Sequence, residues 1–334
     1  MSKSILVTGG AGYIGAHACK ALAKAGFEPI AYDNLIYGHR EAVRWGPLIE
    51  GDLADRVLLT ETIKRHEIAA IMHFAAFAYV GESVEKPEKY FHNNVVNSFG
   101  LLECMLATGV KTIVFSSTCA TYGLPETMPI REDTPQRPVN PYGESKLMIE
   151  RALHWHGVAH GLRHIALRYF NAAGADPAAE IGESHSPETH LIPLILDAAT
   201  GRRAQIDVYG TDYPTPDGTA IRDYIHVQDL AEAHVLALRY LQGGGASTAL
   251  NLGTGEGHSV RQTIETAKRI TGRAIPSRDT ARRPGDPPIL VADASRANTL
   301  LGWKPALASL DRIVETAWLW HQRHFAASAS GDHR

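Results

Sequence analysis

The stretch that most constrains this chain lies near its start. Ile5-Leu6-Val7-Thr8 reads as a short buried strand, Gly9-Gly10-Ala11-Gly12-Tyr13-Ile14-Gly15 follows, and a helical pattern runs on to Ala25. Glycines at 9, 12 and 15 allow a tight strand-to-helix turn, close backbone approach to a ligand and close helix–strand packing. The free N–H groups at such a helix start suit a diphosphate. A glycine turn alone is a weak signal. Flanked by strand and helix, it predicts a dinucleotide site.

The same alternation continues. Glu28 to Tyr32, Ala69 to Phe74, Thr112 to Ser116 and His164 to Tyr169 read as strands, with helical patterns over Tyr90 to Thr108 and Tyr142 to His156. Strands spaced by helices imply βαβ units and a mostly parallel sheet. The run Ile71-Met72-His73-Phe74 is nearly all apolar, as a strand covered on both faces should be. After Asn171 the texture changes: Pro177, Pro187, Pro193, Pro214, Pro216 and Gly218 crowd in, which predicts a smaller domain over one edge of the sheet. Ala246 to Leu252 reads as a strand returning to the first domain, and Ala326 to Arg334 as a frayed tail. The expected fold class is α/β, a Rossmann-type doubly wound parallel sheet with a smaller C-terminal α/β substrate domain. The expected division is 1–170, with a returning segment near 223–255, against 171–334.

Composition narrows the function classes. A chain of 334 residues exceeds one small module at about 150 residues per domain. Its 44% apolar and 21% charged residues are ordinary for a globular protein and exclude disorder over most of the length. Lys+Arg 33 against Asp+Glu 36 leaves a net charge of −3, so neither nucleic acid nor an anionic membrane is an expected partner. Cys19, Cys104 and Cys119 have no metal-type spacing, which reads as a reducing compartment with no zinc or disulfide framework. No run of 18 apolar residues occurs and the first residues lack a signal-peptide pattern, so a cytoplasmic location is expected.

Two constellations carry chemistry. Asp33 closes the second strand, where an acid meets the adenosine ribose hydroxyls. Its charge would repel a 2′-phosphate by ~1 to 4 kcal/mol, which favours NAD over NADP. Asp52 and Leu53 follow another short apolar run, and Asp52 is a candidate adenine neighbour. Further on, Tyr142-Gly-Glu-Ser-Lys146 sets a tyrosine and a lysine four residues apart on one helix face, while Phe115-Ser116-Ser117-Thr118 ends a strand in hydroxyls. A tyrosine base near neutrality needs its pKa, ordinarily ~10, lowered by about three units, or ~4 kcal/mol. Lys146 and an oxidised nicotinamide are two cations that could do this, with Thr118 holding the sugar hydroxyl.

These residues carry a family resemblance. VTGGAGYIGAH, YDNL, EGDL, HFAAFAYVGESVEKPEKYFHNN, FSSTCATYG, NPYGESKLMIE, LRYFNAAGADP, GTDYPTPDGTAIRDYIHVQDLAEAH, NLGTGEGHSV and RRPGDPP resemble the UDP-glucose (UDP-galactose) 4-epimerases among the extended short-chain dehydrogenase/reductases. The resemblance spans essentially the whole chain. It implies tightly held NAD, a UDP-sugar substrate, a 4-keto intermediate, galactose metabolism and a homodimer joined through helices of the first domain. Tyr142, Lys146 and Thr118 would be catalytic. Gly9, Gly12, Tyr13, Ile14, Gly15, Asp33, Asn34, Asp52, Leu53, Phe74, Ala75, Ala76, Asn93, Lys146 and Phe170 would face the cofactor. Thr118, Tyr142, Asn171, His190, Leu191, Asp207, Val208, Tyr209, Arg222, Arg283, Asp286 and Leu290 would face the UDP-sugar, with both arginines suited to the diphosphate.

The chain departs from the best-known bacterial pattern at several positions. Ala78 stands where a lysine is usual, so no hold of that lysine on the nicotinamide ribose carries over. Thr118 replaces a serine and keeps the hydroxyl; His190 replaces an asparagine near the phosphates. Leu290 stands where some members place a tyrosine, which leaves room for a 2-acetamido group. Motifs in HFAAFAYVGES and SSTCATYG also resemble the branch with UDP-xylose/UDP-arabinose epimerases, so that substrate pair is a second expectation, as is dual action on UDP-N-acetylglucosamine. Related dehydratases need an acid/base pair where Cys119 and Ala120 stand, and neither can serve. His156 and His160 have metal-ligand spacing, yet Gly157 and Gly161 should break the helix there, and no metal is expected. Trp318, Trp320 and Tyr240 read as packing residues, and Cys119 as a small buried side chain.

Overall fold

The computed structural model of the chain describes residues 3–283 and 285–329. Thirteen strands are formed by these residues. They are β1 (Ser4–Thr8), β2 (Glu28–Asp33), β3 (Leu48–Glu50), β4 (Ala70–His73), β5 (Thr112–Thr118), β6 (Arg163–Tyr169), β7 (Asn171–Ala173), β8 (Ile206–Tyr209), β9 (Ile221–His226), β10 (Thr248–Leu252), β11 (Gly257–Ser259), β12 (Ser277–Thr280) and β13 (Ile289–Leu290). Seven of them build one sheet in the order β10-β6-β5-β4-β1-β2-β3, parallel at every pairing. The order reverses between β1 and β4, which opens a crevice at the C-terminal strand ends.

Alternation along the strands explains the two covered faces. Ile5, Val7, Ala31, Met72 and Val114 enter one apolar cluster, and Leu6, Ile30, Ile71 and Ile113 the other. The first face is covered by α1 (Tyr13–Lys24); the second by α2 (Arg56–Arg65). Each fully buried Leu or Ile here contributes about 1.5–3 kcal/mol. Between β4 and β5 run α3 (Val80–Glu85), α4 (Pro87–Tyr90), a π-helical turn over Phe91–Val96, and α5 (Asn97–Thr108). The single helix expected over Tyr90 to Thr108 is therefore locally widened, because a π turn has no apolar period of its own to read.

α6 (Pro141–His160) starts with Pro141 at a position that needs no N–H, and Asn140 caps it by accepting from the Gly143 N–H at 2.8 Å. It runs through Gly157, contrary to expectation, and ends only at Gly161, whose φ of +69° is left-handed. One glycine inside a helix costs about 1 kcal/mol and does not stop it. His156 accordingly bonds back to the Ala152 carbonyl at 2.8 Å.

The remaining helices are α7 (Leu191–Ala199), α8 (Val227–Gln242), α9 (Val260–Thr271), α10 (Ser295–Leu301) and α11 (Leu310–Ala329). Leu230, Leu238, Leu250, Leu252, Ala297 and Trp303 join the cluster on the first face of the large sheet. A third cluster gathers Ile192, Ile195, Val208, Tyr224, Ile264, Ile313 and Val314. Its hub is β9, which pairs with β7 and β13 in parallel and with β11 antiparallel; β8 and β12 form a separate parallel pair. The tail expected from Ala326 continues α11 to Ala329, and residues 330–334 lie outside the described residues.

Candidate functional site

The glycine turn is sterically closed to side chains. Gly9 has φ +73°, and a Cβ there would lie 2.7 Å from the Ala75 nitrogen. A Cβ on Gly15 would lie 2.0 Å from the Gly9 carbonyl oxygen. Gly12 caps α1 with no side-chain hydrogen bond, which leaves the helix N–H groups for a ligand. Asp33, the last residue of β2, accepts from the Ala11 N–H at 3.0 Å and the Leu35 N–H at 2.8 Å. Burial pushes its carboxyl up, and these N–H groups pull it back. Asn34 donates to Asp52 at 2.7 Å, so Asp33, Asn34 and Asp52 meet at one edge. Leu53 packs into the second cluster, and Phe74 lies 4.7 Å from the His234 ring. The Tyr13 hydroxyl donates to the Gly174 carbonyl at 2.6 Å. A turn closed to a Cβ at Gly9 and Gly15, a bare helix start and a carboxylate at the β2 end are the donor set a dinucleotide needs.

The catalytic candidates meet at the end of β5. Thr118 ends that strand, and its hydroxyl accepts from the Ala120 N–H at 3.1 Å. Lys146 is buried, and its ammonium donates to the Ser116 carbonyl at 2.8 Å. It stands 5.0 Å from the Phe115 ring centre and 6.0 Å from that of Tyr142. Burial pulls Lys146 down to about 7, against the opposing pull of Glu150. Burial also pushes the Tyr142 phenol up to about 12, with the Thr118 hydroxyl acting the other way. The protein alone thus does not lower the tyrosine. Desolvation outweighs the Thr118 hydrogen bond at this buried phenol.

On the other wall, Arg222 on β9 pairs with Asp286 and donates to the Ile221 carbonyl at 2.8 Å. Arg283 stacks on the Tyr209 ring at 3.9 Å. Asp207 lies between Arg203 at 3.4 Å and Arg278 at 2.9 Å, and the Val208 side chain is in the core. Leu290 is in register with Arg222 and, like Cys119, packs against the buried cluster of Tyr122, Ile130, Phe170 and Ala292. Burial holds the Cys119 thiol up at about 12, which leaves it protonated. Asn171 begins β7, Leu191 begins α7, and the His190 imidazole is turned to Glu183. Lys89 reaches the loop that carries Ala78, with its ammonium 4.5 Å from the Phe77 ring.

The sequence model of the NAD dependent epimerase/dehydratase family matches residues 5–253. The chain belongs to that family. It is 51% identical over 322 residues to a UDP-glucose 4-epimerase of Lacticaseibacillus casei, covering 96% of this chain and 97% of the relative. Among solved structures, it resembles the UDP-glucose 4-epimerase of Brucella ovis in complex with NAD, with TM-score 0.93 and 52% identity over 95% of this chain and 97% of that one. A Stenotrophomonas maltophila UDP-glucose-4-epimerase with bound NAD and formylated UDP-arabinopyranose matches at TM-score 0.94 and 40% identity, covering 97% and 99%. NAD is the cofactor of this family member, and the donor set above fits it. Among the described residues no helix is long and apolar enough to cross a membrane.

Two supports of the family's tyrosine–lysine pair were not foreseen. Asn94, fully buried in the π turn, donates to the Phe77 carbonyl at 3.0 Å and to Ser145 at 3.1 Å, and accepts from the Phe77 N–H at 2.9 Å and from Asn93 at 3.0 Å. It ties the loop after β4, with Ala75 and Ala76, to the turn of α6 between Tyr142 and Lys146. Behind Lys146, Glu150 binds Arg168 at 2.6 Å and accepts from Ser117. Arg168 also donates to Tyr122 at 2.9 Å, which donates to Asn251 at 2.7 Å. Only the HNN of the resembling stretch could have pointed to Asn94; the buried pair left no local signal, since its partners come from two separate elements.

Proposed function

We propose that this chain inverts C4 of a UDP-sugar, with UDP-glucose and UDP-galactose as the main pair, and so serves galactose metabolism. Bound NAD supplies the chemistry of taking hydride from C4 and returning it. Tyr142 takes the proton of the 4-hydroxyl and gives it back. Thr118 holds that hydroxyl, and Lys146 holds positive charge beneath the site. Arg222 and Arg283 clamp the diphosphate while the 4-keto sugar turns over. The carrying observation is the meeting of Thr118, Tyr142 and Lys146 at the end of β5, across from the closed glycine turn. Residues 171–334 supply most of the sugar side and 1–170, with 223–255, the NAD side.

Two observations favour wider substrate use. Leu290, packed onto the cluster that holds Phe170, puts no phenol at position 290, which suits a 2-acetamido group. A similar enzyme holds a UDP-arabinopyranose derivative, which supports a UDP-xylose/UDP-arabinose reading. Incubation with UDP-glucose, UDP-xylose and UDP-N-acetylglucosamine without added cofactor, read by NMR, tests all three. Inversion of none of them would overturn the proposal. The homodimer reading is supported by exposed Val96 and Phe99 near the start of α5 and Met148 and Trp155 on α6, which a second copy could cover. Light scattering tests it. The lack of a spanning helix among the described residues supports a cytoplasmic location.

A further inference from the structure

One cluster borders the glycine turn and has no part in the hydride and proton steps proposed above. Glu183, His185, Glu188 and His190 each turn one donor atom into a common space, all within 4.8 Å of one another. The His185 Nδ1 lies 3.2 Å from a Glu183 oxygen and 3.7 Å from one of Glu188, and the His190 Nδ1 lies 3.6 Å from the other Glu188 oxygen. Ligand distances of about 2.0–2.2 Å put the donors of a tetrahedral ion roughly 3.3–3.6 Å apart, close to these separations. The one shorter contact, His190 to Glu183 at 2.5 Å, is a hydrogen bond that an ion would replace. The His185 Nδ1 is buried yet makes no hydrogen bond among the described residues, although Glu183 is within reach. The nitrogen is close to the carboxylate but off the line a proton would take.

We propose that Glu183, His185, Glu188 and His190 form a binding site for a divalent transition-metal ion of the zinc class. Two imidazoles with two carboxylates suit zinc, whereas magnesium and calcium prefer all-oxygen shells. The scaffold is fixed independently of any ion. Trp320 donates to the Glu183 carbonyl at 3.1 Å, and it can pack there only because position 182 is glycine, where a Cβ would lie 2.3 Å from the indole. His39 pairs with the Ser184 carbonyl at 2.7 Å. The His185 ring meets the Tyr13 ring edge-on at 6.3 Å, and Tyr13 is the first residue of α1. An ion here would fasten the loop before α7 to the dinucleotide turn, as a positioning device outside the chemistry.

The test uses the NAD-loaded enzyme, treated with chelator, reloaded with zinc sulfate and desalted, with metal content read by mass spectrometry. One zinc per chain is expected, with affinity falling at least about tenfold in both His185→Ala and Glu188→Gln. Cobalt in place of zinc should give the intense visible bands of a four-coordinate site, absent from both variants. Retained NAD and an unchanged circular dichroism spectrum show that a variant is folded, and the near-isosteric Glu188→Gln carries the test if His185→Ala does not fold. Failure of the wild type to retain zinc, or equal retention by wild type and folded variants, would overturn the proposal and leave the cluster an ion-pair network. The readout is metal, so it stands or falls apart from epimerase activity.

Discussion

On the dinucleotide side, each functional group stands at the C-terminal end of a strand in one sheet: Gly9 after β1, Asp33 closing β2, Phe74 after β4, Thr118 closing β5 and Phe170 after β6. On the sugar side, Arg222, Tyr209, Arg283 and Asp286 come from short strands and their loops, held by ion pairs and a cation over a ring. The sheet side and the loop before α7 also treat their histidines in opposite ways. Burial pushes His17 and His234 down to about 4 and His73 to about 3, so the sheet side keeps them neutral. At His185 burial pulls down too, but the Glu183 and Glu188 carboxylates outweigh it and raise the ring to about 10. Backbone shape fixes the first region, and side-chain charge fixes the second. Damage should therefore be steric and all-or-none in one, graded and salt-sensitive in the other.

The largest effect expected is at the glycine turn. Gly15→Val would drive a branched side chain into the Gly9 carbonyl, and no NAD-loaded protein should be recovered. Recovery of protein with one NAD per chain would break the steric half of the comparison. Next, Tyr142→Phe should cut turnover by about 10²–10⁴ while NAD stays bound, measured by NMR of UDP-glucose inversion and by cofactor content. Ordinary turnover in that variant would remove the base assignment.

The third effect concerns acid. An unfolded histidine takes its proton near pH 6.5, whereas folded His234 refuses until about 4. The unfolded state therefore binds more protons in that window, and stability must fall as pH falls from 6.5 to 4. His234 alone accounts for about 3 kcal/mol of that loss. His234→Phe should flatten the acid limb of a denaturation series, and an unchanged limb would show that the ring is not neutral in the fold. Fourth, Arg283→Ala should raise the KM for UDP-glucose by about 10–100-fold, from the loss of about 1.5–3 kcal/mol of charged hydrogen bonding. The deficit should shrink in high salt; a kcat defect with unchanged KM would contradict the clamp. The smallest is Leu290→Tyr, which should lower turnover of UDP-N-acetylglucosamine about tenfold more than that of UDP-glucose. Equal losses on both substrates would mean that this wall does not face the 2-substituent.

Much of the sheet side could be read directly, for a physical reason. Glycine spacing, buried strand runs and a tyrosine–lysine pair on one helix face are local patterns, and the βαβ rule converts them into neighbours at one sheet edge. Reading failed where geometry is not local. The π turn at Phe91–Val96 puts Asn94 inside, and nothing in the period of its neighbours announces that. Gly157 looked like a stop but is carried through by the packing of α6.

The order of residues by itself determined the α/β class, the dinucleotide turn and the placing of a tyrosine and a lysine on one helix face, since each depends on contacts within a few residues or on a repeated strand–helix period. Only the tertiary structure decided what surrounds them: the buried Glu150–Arg168 pair behind Lys146, the packing of Leu290 onto the cluster that holds Phe170, and the four ligand-type side chains gathered before α7. Their partners are brought together by sheet order, loop path and exclusion of water, and those follow from packing the whole chain.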